Sequence, residues 1–254
     1  MPLNLITVEN FVAENRERMS DKALLRHERY RILSRLRDKL QHSLDDYIRF
    51  ESELSSLVVD RITSARTYQE LSLCHKRAVG GIEKYFLEED TIADVHDLFR
   101  IVRDGLTVRV IELVEEDMDR EGYGYPPTNF VWVGMGSEGR DEQTLMTDQD
   151  NMILYGQAED EFVTDFLKKG CYEYLRMNKV VGDTREITGK HVLDYYFKVF
   201  AEKIVERLHE VGFEKCKGGV MPSNEKWRGS SNDFHDRLVQ RITYERGIFE
   251  TLDI

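Results

Sequence analysis

Residues 126–155, PPTNFVWVGMGSEGRDEQTLMTDQDNMILY, decide how this chain is read. Phe130-Val131-Trp132-Val133 is a short apolar run of β-branched and aromatic residues, which predicts a buried strand. Gly134 to Arg140 is a glycine-rich turn opening a short helix that ends near Met146, and Gln149 to Tyr155 predicts a second strand. A strand that ends in Gly-x-Gly-Ser and enters a helix presents backbone N–H groups and a hydroxyl, which suits phosphate oxygens. Glycine there lets an anion approach the main chain. Asp148 follows Ser137 by eleven positions, inside Thr147-Asp148-Gln149-Asp150. Residues two apart on a strand share a face, so Asp148 and Asp150 set two carboxylates side by side. Two such anions repel unless a cation lies between them, and oxygen ligands select Mg²⁺ or Mn²⁺. Alone, each motif is weak: glycine turns are common, and acidic pairs at strand starts often only cap turns. Together they bring phosphate and metal to one sheet edge.

Upstream, the chain reads as helix. Leu33, Leu36, Leu40, Leu44 and Tyr47 repeat at spacings of three and four, and Leu54, Val58, Ile62 and Ala65 resume the stripe. No proline or glycine interrupts 21–67, so one very long helix or two abutting ones fit. Its charged surface suggests a hairpin arm or a dimer seam. A further helix over Tyr68 to Val79 is expected to stop at Gly80-Gly81. The next begins near Asp90-Thr91 and buries Ile92, Val95, Phe99, Val102, Leu106 and Leu113, giving an antiparallel bundle. The glycines and paired prolines of 121–127 cannot continue a helix, which places a domain boundary there: residues 1–121 helical, residues 122–254 a small α/β unit. Downstream, Val163, Leu167, Cys171 and Tyr174 mark one helix and Phe197, Phe200, Ile204, Leu208 and Val211 another. A polar loop over Val180 to Lys190 separates them, a third strand is expected over Lys215 to Met221, and 233–249 is helical. The fold class expected is α+β, a helical arm and bundle followed by a short mixed sheet.

Bulk properties narrow the function classes. The 254 residues are 41% hydrophobic and 33% charged, a soluble globular composition with no membrane-spanning run. The N-terminus lacks the basic and apolar regions of a secretory signal. Cys74, Cys171 and Cys216 are widely spaced and odd in number, which argues against a disulfide scaffold or zinc site and for a reducing cytoplasm. A net charge of −12 argues against broad nucleic-acid binding, which needs a surplus of Lys and Arg.

The quoted stretch, together with GFEKCKGGVMPSNEKWRGS at 212–230, resembles the nucleotidyltransferase superfamily of the DNA polymerase beta type. Within it, the chain is similar to a bacterial signalling group related to the N-terminal domain of protein-PII uridylyltransferase and often found beside CBS and cyclic-nucleotide-binding domains. The similarity runs from about Ile62 to the C-terminus. It implies that Gly136 and Ser137 cradle the β- and γ-phosphates of a nucleoside triphosphate, and that Asp148 and Asp150 are catalytic and bind Mg²⁺ or Mn²⁺. Arg140 either reaches the triphosphate or pairs with a neighbouring acid, Glu138 or Asp141. Glu142 and Gln143 would brace the turn or a metal-bound water, and Asn151 the strand end. Lys226 and Arg228 would line a base or acceptor pocket with Asn224 and Trp227; equally, Trp227 is a core anchor with its two basic neighbours in solvent.

One departure stands out. Active members of the superfamily commonly carry a third carboxylate on a following strand, whereas 215–221 holds no acid. Glu214 and Glu225 flank it, and Asp183 and Glu186 lie in the earlier loop. The expected activity is therefore transfer of a nucleoside monophosphate to a hydroxyl of a protein or small molecule, with a catalytically silent nucleotide-binding module as the alternative. A scaffold acting through its helical arm is the third option. A homodimer through the N-terminal helices fits the arm's periodicity.

Overall fold

The computed structural model describes residues 5–20, 24–89, 95–140, 142, 148–157 and 188–244. Helix α1 (Leu5–Ser20) buries Phe11 and packs on α2 (Arg26–Ser56), which continues through a π-helical turn at Leu57–Ile62. The long uninterrupted helix read from 21–67 is thus present over most of its length. Its stripe is rotated slightly: Ile32 is buried and Leu33 lies exposed, while Leu36, Leu40, Leu44 and Tyr47 are half-buried.

Helix α3 runs over Tyr68–Glu89, straight through Gly80-Gly81, where a stop was expected. The reason is Ile82, which joins Leu71 and Ala78 on one buried stripe at 0% exposure. Each glycine costs a helix about 1 kcal/mol. Burying an isoleucine returns about 1.5–3 kcal/mol, so the helix continues. Helix α4 (Val95–Arg120) buries Leu98, Phe99, Val102, Leu106, Val110, Leu113, Val114 and Met118. Its expected start at Asp90 to Ile92 lies outside the described residues, as do the helix at Val163 to Tyr174 and most of the polar loop after it.

Strand β1 (Phe130–Gly134) leads into a single helical turn, α5 (Gly136–Gly139); β2 (Asp148–Gln149) and β3 (Asn151–Tyr155) follow. Helix α6 (Gly189–Val211) already includes Gly189 and Lys190, so the end of the expected loop is helical. After it come β4 (Glu214–Lys215), a 3₁₀ turn at Glu225–Trp227, β5 (Arg228–Ser230) and α7 (Ser231–Tyr244). The sheet is mixed, in the order β1-β3-β5, with β1 antiparallel and β5 parallel to β3; β2 and β4 form a separate short parallel pair. The fold is α+β. Two expectations are corrected. Strand β1 is an edge strand with Val131 60% exposed, so it is not buried on both faces. The strand expected over Lys215 to Met221 is only two residues long, because the chain turns at Gly219 (φ +71°), and the sheet's third member is β5. The core draws on α3, α4, α6 and β3, with Tyr155 stacked on Phe197 at 4.2 Å. Among the described residues no helix is long and apolar enough to cross a membrane.

Helix α6 ends at Gly212 (φ +127°), whose N–H donates back to the Leu208 carbonyl, and this aims the buried Phe213 into the core. His75 of α3 stacks on Phe213 at 4.7 Å and places Nδ1 3.2 Å from the Val211 carbonyl. Desolvation holds the His75 pKa below its ordinary value. Below about pH 6.5 the unfolded chain therefore binds a proton that the folded chain resists, so this residue makes stability fall as pH drops and rise again toward neutrality. Urea unfolding at pH 5 and pH 7.5 should show that decrease in wild type and a smaller one in His75→Gln; equal pH sensitivity in both would contradict it.

Candidate active site

The segment from Asp148 to Asn151 alternates in direction. Gln149 and Asn151 are buried at 1% and 2% exposure, while Asp148 and Asp150 are half-buried on the other side. The buried amide nitrogens are hydrogen-bonded, which fixes this alternation, while Gln149 Oε1 is left without a partner. Gln149 Nε2 donates to the Val205 and Phe213 carbonyls at 3.2 and 3.1 Å, tying β2 to the end of α6. Asn151 Nδ2 donates to Glu138 Oε2 at 2.7 Å, tying β3 to the turn after β1. The main chain is clamped as well: Met135 N–H donates to the Asp150 carbonyl at 2.8 Å, and Asn151 N–H donates to the Val220 carbonyl at 3.0 Å.

The outward residues then converge. Carboxylate oxygens of Asp148 and Asp150 and the sulfur of Cys216 lie within 4.8 Å of one another. Asp150 Oδ1 is buried without a hydrogen-bond partner. That orphaned acceptor and the close second carboxylate fit a divalent cation, since such charges are retained together when a cation offsets them. Gly136 adjoins the same carboxylate. Its φ of +56° favours glycine, and a Cβ there would stand 2.6 Å from Asp150 Oδ2. Thus the glycine turn abuts Asp150.

Beneath the pair lies a buried charge. Arg103 of α4, 7% exposed, donates to Glu138 Oε2, and its charge also acts on Asp150. Burial lowers the Arg103 pKa and raises that of Glu138, each opposed by the other's charge. Gly134 makes this possible, because a Cβ there would fall 2.4 Å from the Glu138 carboxyl carbon. Burial of Cys216 pushes its thiol up, and the neighbouring Asp150 carboxylate adds to that. A cleft of about 450 Å³ between α4 and β1, lined by His96, Asp104, Trp132 and Glu138 among others, lies behind the turn.

The remaining candidates sit as follows. Ser137 is half-buried in α5, and its carbonyl accepts from Glu142 N–H at 2.9 Å, so the backbone of Glu142 closes the turn. Arg140 is exposed and pairs with Glu142 at 2.8 Å, not with Glu138. Lys226 is exposed, while its N–H is capped by Asn224 Oδ1 at 3.1 Å. Arg228 is half-buried and spends Nη1 on the Pro222 and Ser223 carbonyls at 2.5 and 3.3 Å. Burial lowers its pKa, opposed by the charges of Tyr155, Glu202, Asp194 and Glu225, and its bonds to the two carbonyls hold the 222–228 loop. Glu214 stands opposite Asp148 in the β2–β4 register but is exposed, and Glu225 is exposed too. Gln143, Asp183 and Glu186 lie outside the described residues. Among the described residues, the group with metal-binding spacing contains Cys216 and no third carboxylate.

Sequence reading missed Arg103, the pairing role of Glu138, and Cys216. A signal existed for the first: Arg103 falls four after Phe99 and three before Leu106, a charge on an otherwise apolar stripe.

A family model described as "Putative nucleotidyltransferase DUF294" matches residues 81–247. The chain belongs to this family. Nucleotidyltransferases take a nucleoside triphosphate as donor. The match includes α4, β1, the glycine turn, both aspartates and the 212–230 segment. None of the curated proteins and none of the solved structures matches the chain.

Removing one partner of a buried ion pair strands the other charge, at a cost of about 3–5 kcal/mol. Glu138→Ala should therefore lower unfolding stability by about 3 kcal/mol or more. The double variant Arg103→Met/Glu138→Gln, which keeps an acceptor for Asn151, should lose clearly less. Urea denaturation of the three proteins checks this; a Glu138→Ala change within about 0.5 kcal/mol, the range of plain surface substitutions, would contradict it.

Proposed function

We propose that this nucleotidyltransferase-family chain transfers a nucleoside monophosphate from a triphosphate to a hydroxyl on a protein or small molecule. The supporting observation is the meeting of three things: Asp148 and Asp150 with close carboxylates, an orphaned Asp150 Oδ1, and Gly136 beside the other oxygen of the same carboxylate. The first N–H groups of a helical turn have no acceptor within the helix. At Gly136 and Ser137 they serve the β- and γ-phosphates, and the missing Cβ at Gly136 keeps that approach open.

Asp148 and Asp150 would hold Mg²⁺ or Mn²⁺. When bound, such a cation offsets the triphosphate's charge and that of the departing pyrophosphate. The chain's own contribution is positioning. Gln149 and Asn151 keep both aspartates outward, and Arg103 places positive charge behind Asp150. In the reaction, the acceptor oxygen forms a bond to the α-phosphorus as the bond to the β-phosphate bridging oxygen breaks. Pyrophosphate leaves, and the hydroxyl proton passes to solvent. Arg140 and Lys226 are exposed and available to a long polyanion after modest rotation, Arg140 first giving up Glu142.

A second reading is a nucleotide sensor without turnover. The absence of a third carboxylate from the metal-spaced group of described residues favours it. Incubating the protein with Mg²⁺ or Mn²⁺ and each labelled nucleoside triphosphate, while following pyrophosphate release and nucleotide binding, separates the two. The transfer reading expects pyrophosphate release that falls at least about a hundredfold in Asp148→Ala and in Asp150→Ala. Binding without release supports the sensor, and neither binding nor release contradicts both.

A further inference from the structure

We propose that Cys216 is the third protein ligand of the cation held by Asp148 and Asp150, and that its sulfur turns the site toward Mn²⁺ and away from Mg²⁺. The inference rests on the reading of the two aspartates as a metal site, and it goes further by naming the donor that replaces the expected acid and the cation class that donor selects.

The backbone supplies the first argument. Strands β2 and β4 run parallel, with Asp148 opposite Glu214 and Gln149 opposite Lys215. Continuing that register one step sets Cys216 opposite Asp150. This is the following strand, where the resemblance implies a carboxylate, and a thiol stands there instead. Its sulfur and one oxygen of each aspartate lie within 4.8 Å of one another. A cation bonded to oxygen and sulfur at about 2.0–2.3 Å, the lengths of zinc sites, holds three donors about 3–4 Å apart, so the set contracts on binding. Small side-chain rotations close the set.

The turn that carries the cysteine supplies the second. Gly219 adopts φ +71° and its N–H donates to the Cys216 carbonyl at 3.1 Å, folding the chain back over the sulfur. The turn closes on the sulfur: a Cβ at Gly218 would stand 3.6 Å from it. Val220 is itself fixed, because its carbonyl accepts from Asn151 N–H at 3.0 Å. The turn is thus anchored to the strand that follows Asp150. Cys74, by contrast, is half-buried on α3 and outside the metal-spaced group.

The third argument is the state of Asp150. Its carboxylate stands close to the Cys216 sulfur, and its Oδ1 is buried and unpartnered. A cation on the three donors satisfies that oxygen and displaces the thiol proton to solvent. Two carboxylates and one thiolate are a mixed donor set. Mg²⁺ demands oxygen ligands in near-ideal octahedral geometry and tolerates sulfur least, so of the two ions that carboxylate sites take, the thiolate weighs against Mg²⁺ and leaves Mn²⁺.

The test uses the wild-type chain, Cys216→Ser and Cys216→Asp, each checked for native helicity by circular dichroism. Co²⁺ is added and the ultraviolet thiolate-to-metal charge-transfer band is recorded; Mn²⁺ and Mg²⁺ affinities are measured by calorimetry. The proposal expects a band in wild type saturating at one thiolate per chain and lost in Cys216→Ser. It expects Mn²⁺ affinity to fall at least about tenfold in Cys216→Ser. In Cys216→Asp, Mn²⁺ binding should persist and the preference should move toward Mg²⁺. An equal band in Cys216→Ser, arising from another cysteine, overturns it. So does unchanged Mn²⁺ affinity without any band, an outcome that leaves the aspartate site intact and removes only the thiol. If no cation binds wild type, both readings fall.

Discussion

The site depends on two buried amides. Gln149 and Asn151 alternate with Asp148 and Asp150 along four consecutive residues, and a strand cannot turn one set inward without turning the other outward. A buried amide without partners costs about 1–3 kcal/mol, so the carbonyls of Val205 and Phe213 and the carboxylate of Glu138 set the direction of all four side chains. The acidic pair is held against its own repulsion by anchors on its other side. The same anchors define what surrounds it. The Glu138 end brings the glycine turn, and the Phe213 end brings β4 and Cys216.

This arrangement makes the helices part of the site. Arg103 comes from α4, packs its guanidinium 5.9 Å from the Phe213 ring, and answers Glu138 beneath Asp150. His75 comes from α3 and stacks on the same Phe213 ring at 4.7 Å. A three-stranded sheet with an exposed edge strand would have little core of its own, and Tyr155, Phe197 and Phe200 fill it only because α6 lies across β3 and β1. The family match begins within α3 and takes in all of α4, as expected if the sheet and these helices act as one unit.

Much of this was legible in the sequence. The period of the apolar residues marks α2, α4 and α6, and the change to glycine and proline after Glu121 marks the end of α4. The spacing of Asp148 and Asp150 on an alternating strand carries their common direction. What was not legible has physical causes. Gly80-Gly81 looks like a helix stop locally, and only the burial of Ile82 overrides it. Strand β5 is three residues long with a glycine at its centre, so pairing with β3, not propensity, makes it a strand. The carbonyl partners of Arg228 arise from a turn whose path no periodicity reveals. Cys216 reads as an ordinary free cysteine until the β2–β4 register sets it beside Asp150.

The central claim is that Asp148 and Asp150 hold a cation against the glycine turn that receives the triphosphate. A crystal structure of the chain soaked with Mn²⁺ and a non-hydrolysable nucleoside triphosphate tests it most directly, through the anomalous signal of manganese. The account predicts an anomalous peak within bonding distance of both aspartates, with phosphate oxygens against the N–H groups of Gly136 and Ser137. Manganese and nucleotide bound elsewhere, with the aspartates making no contact to either, would contradict it.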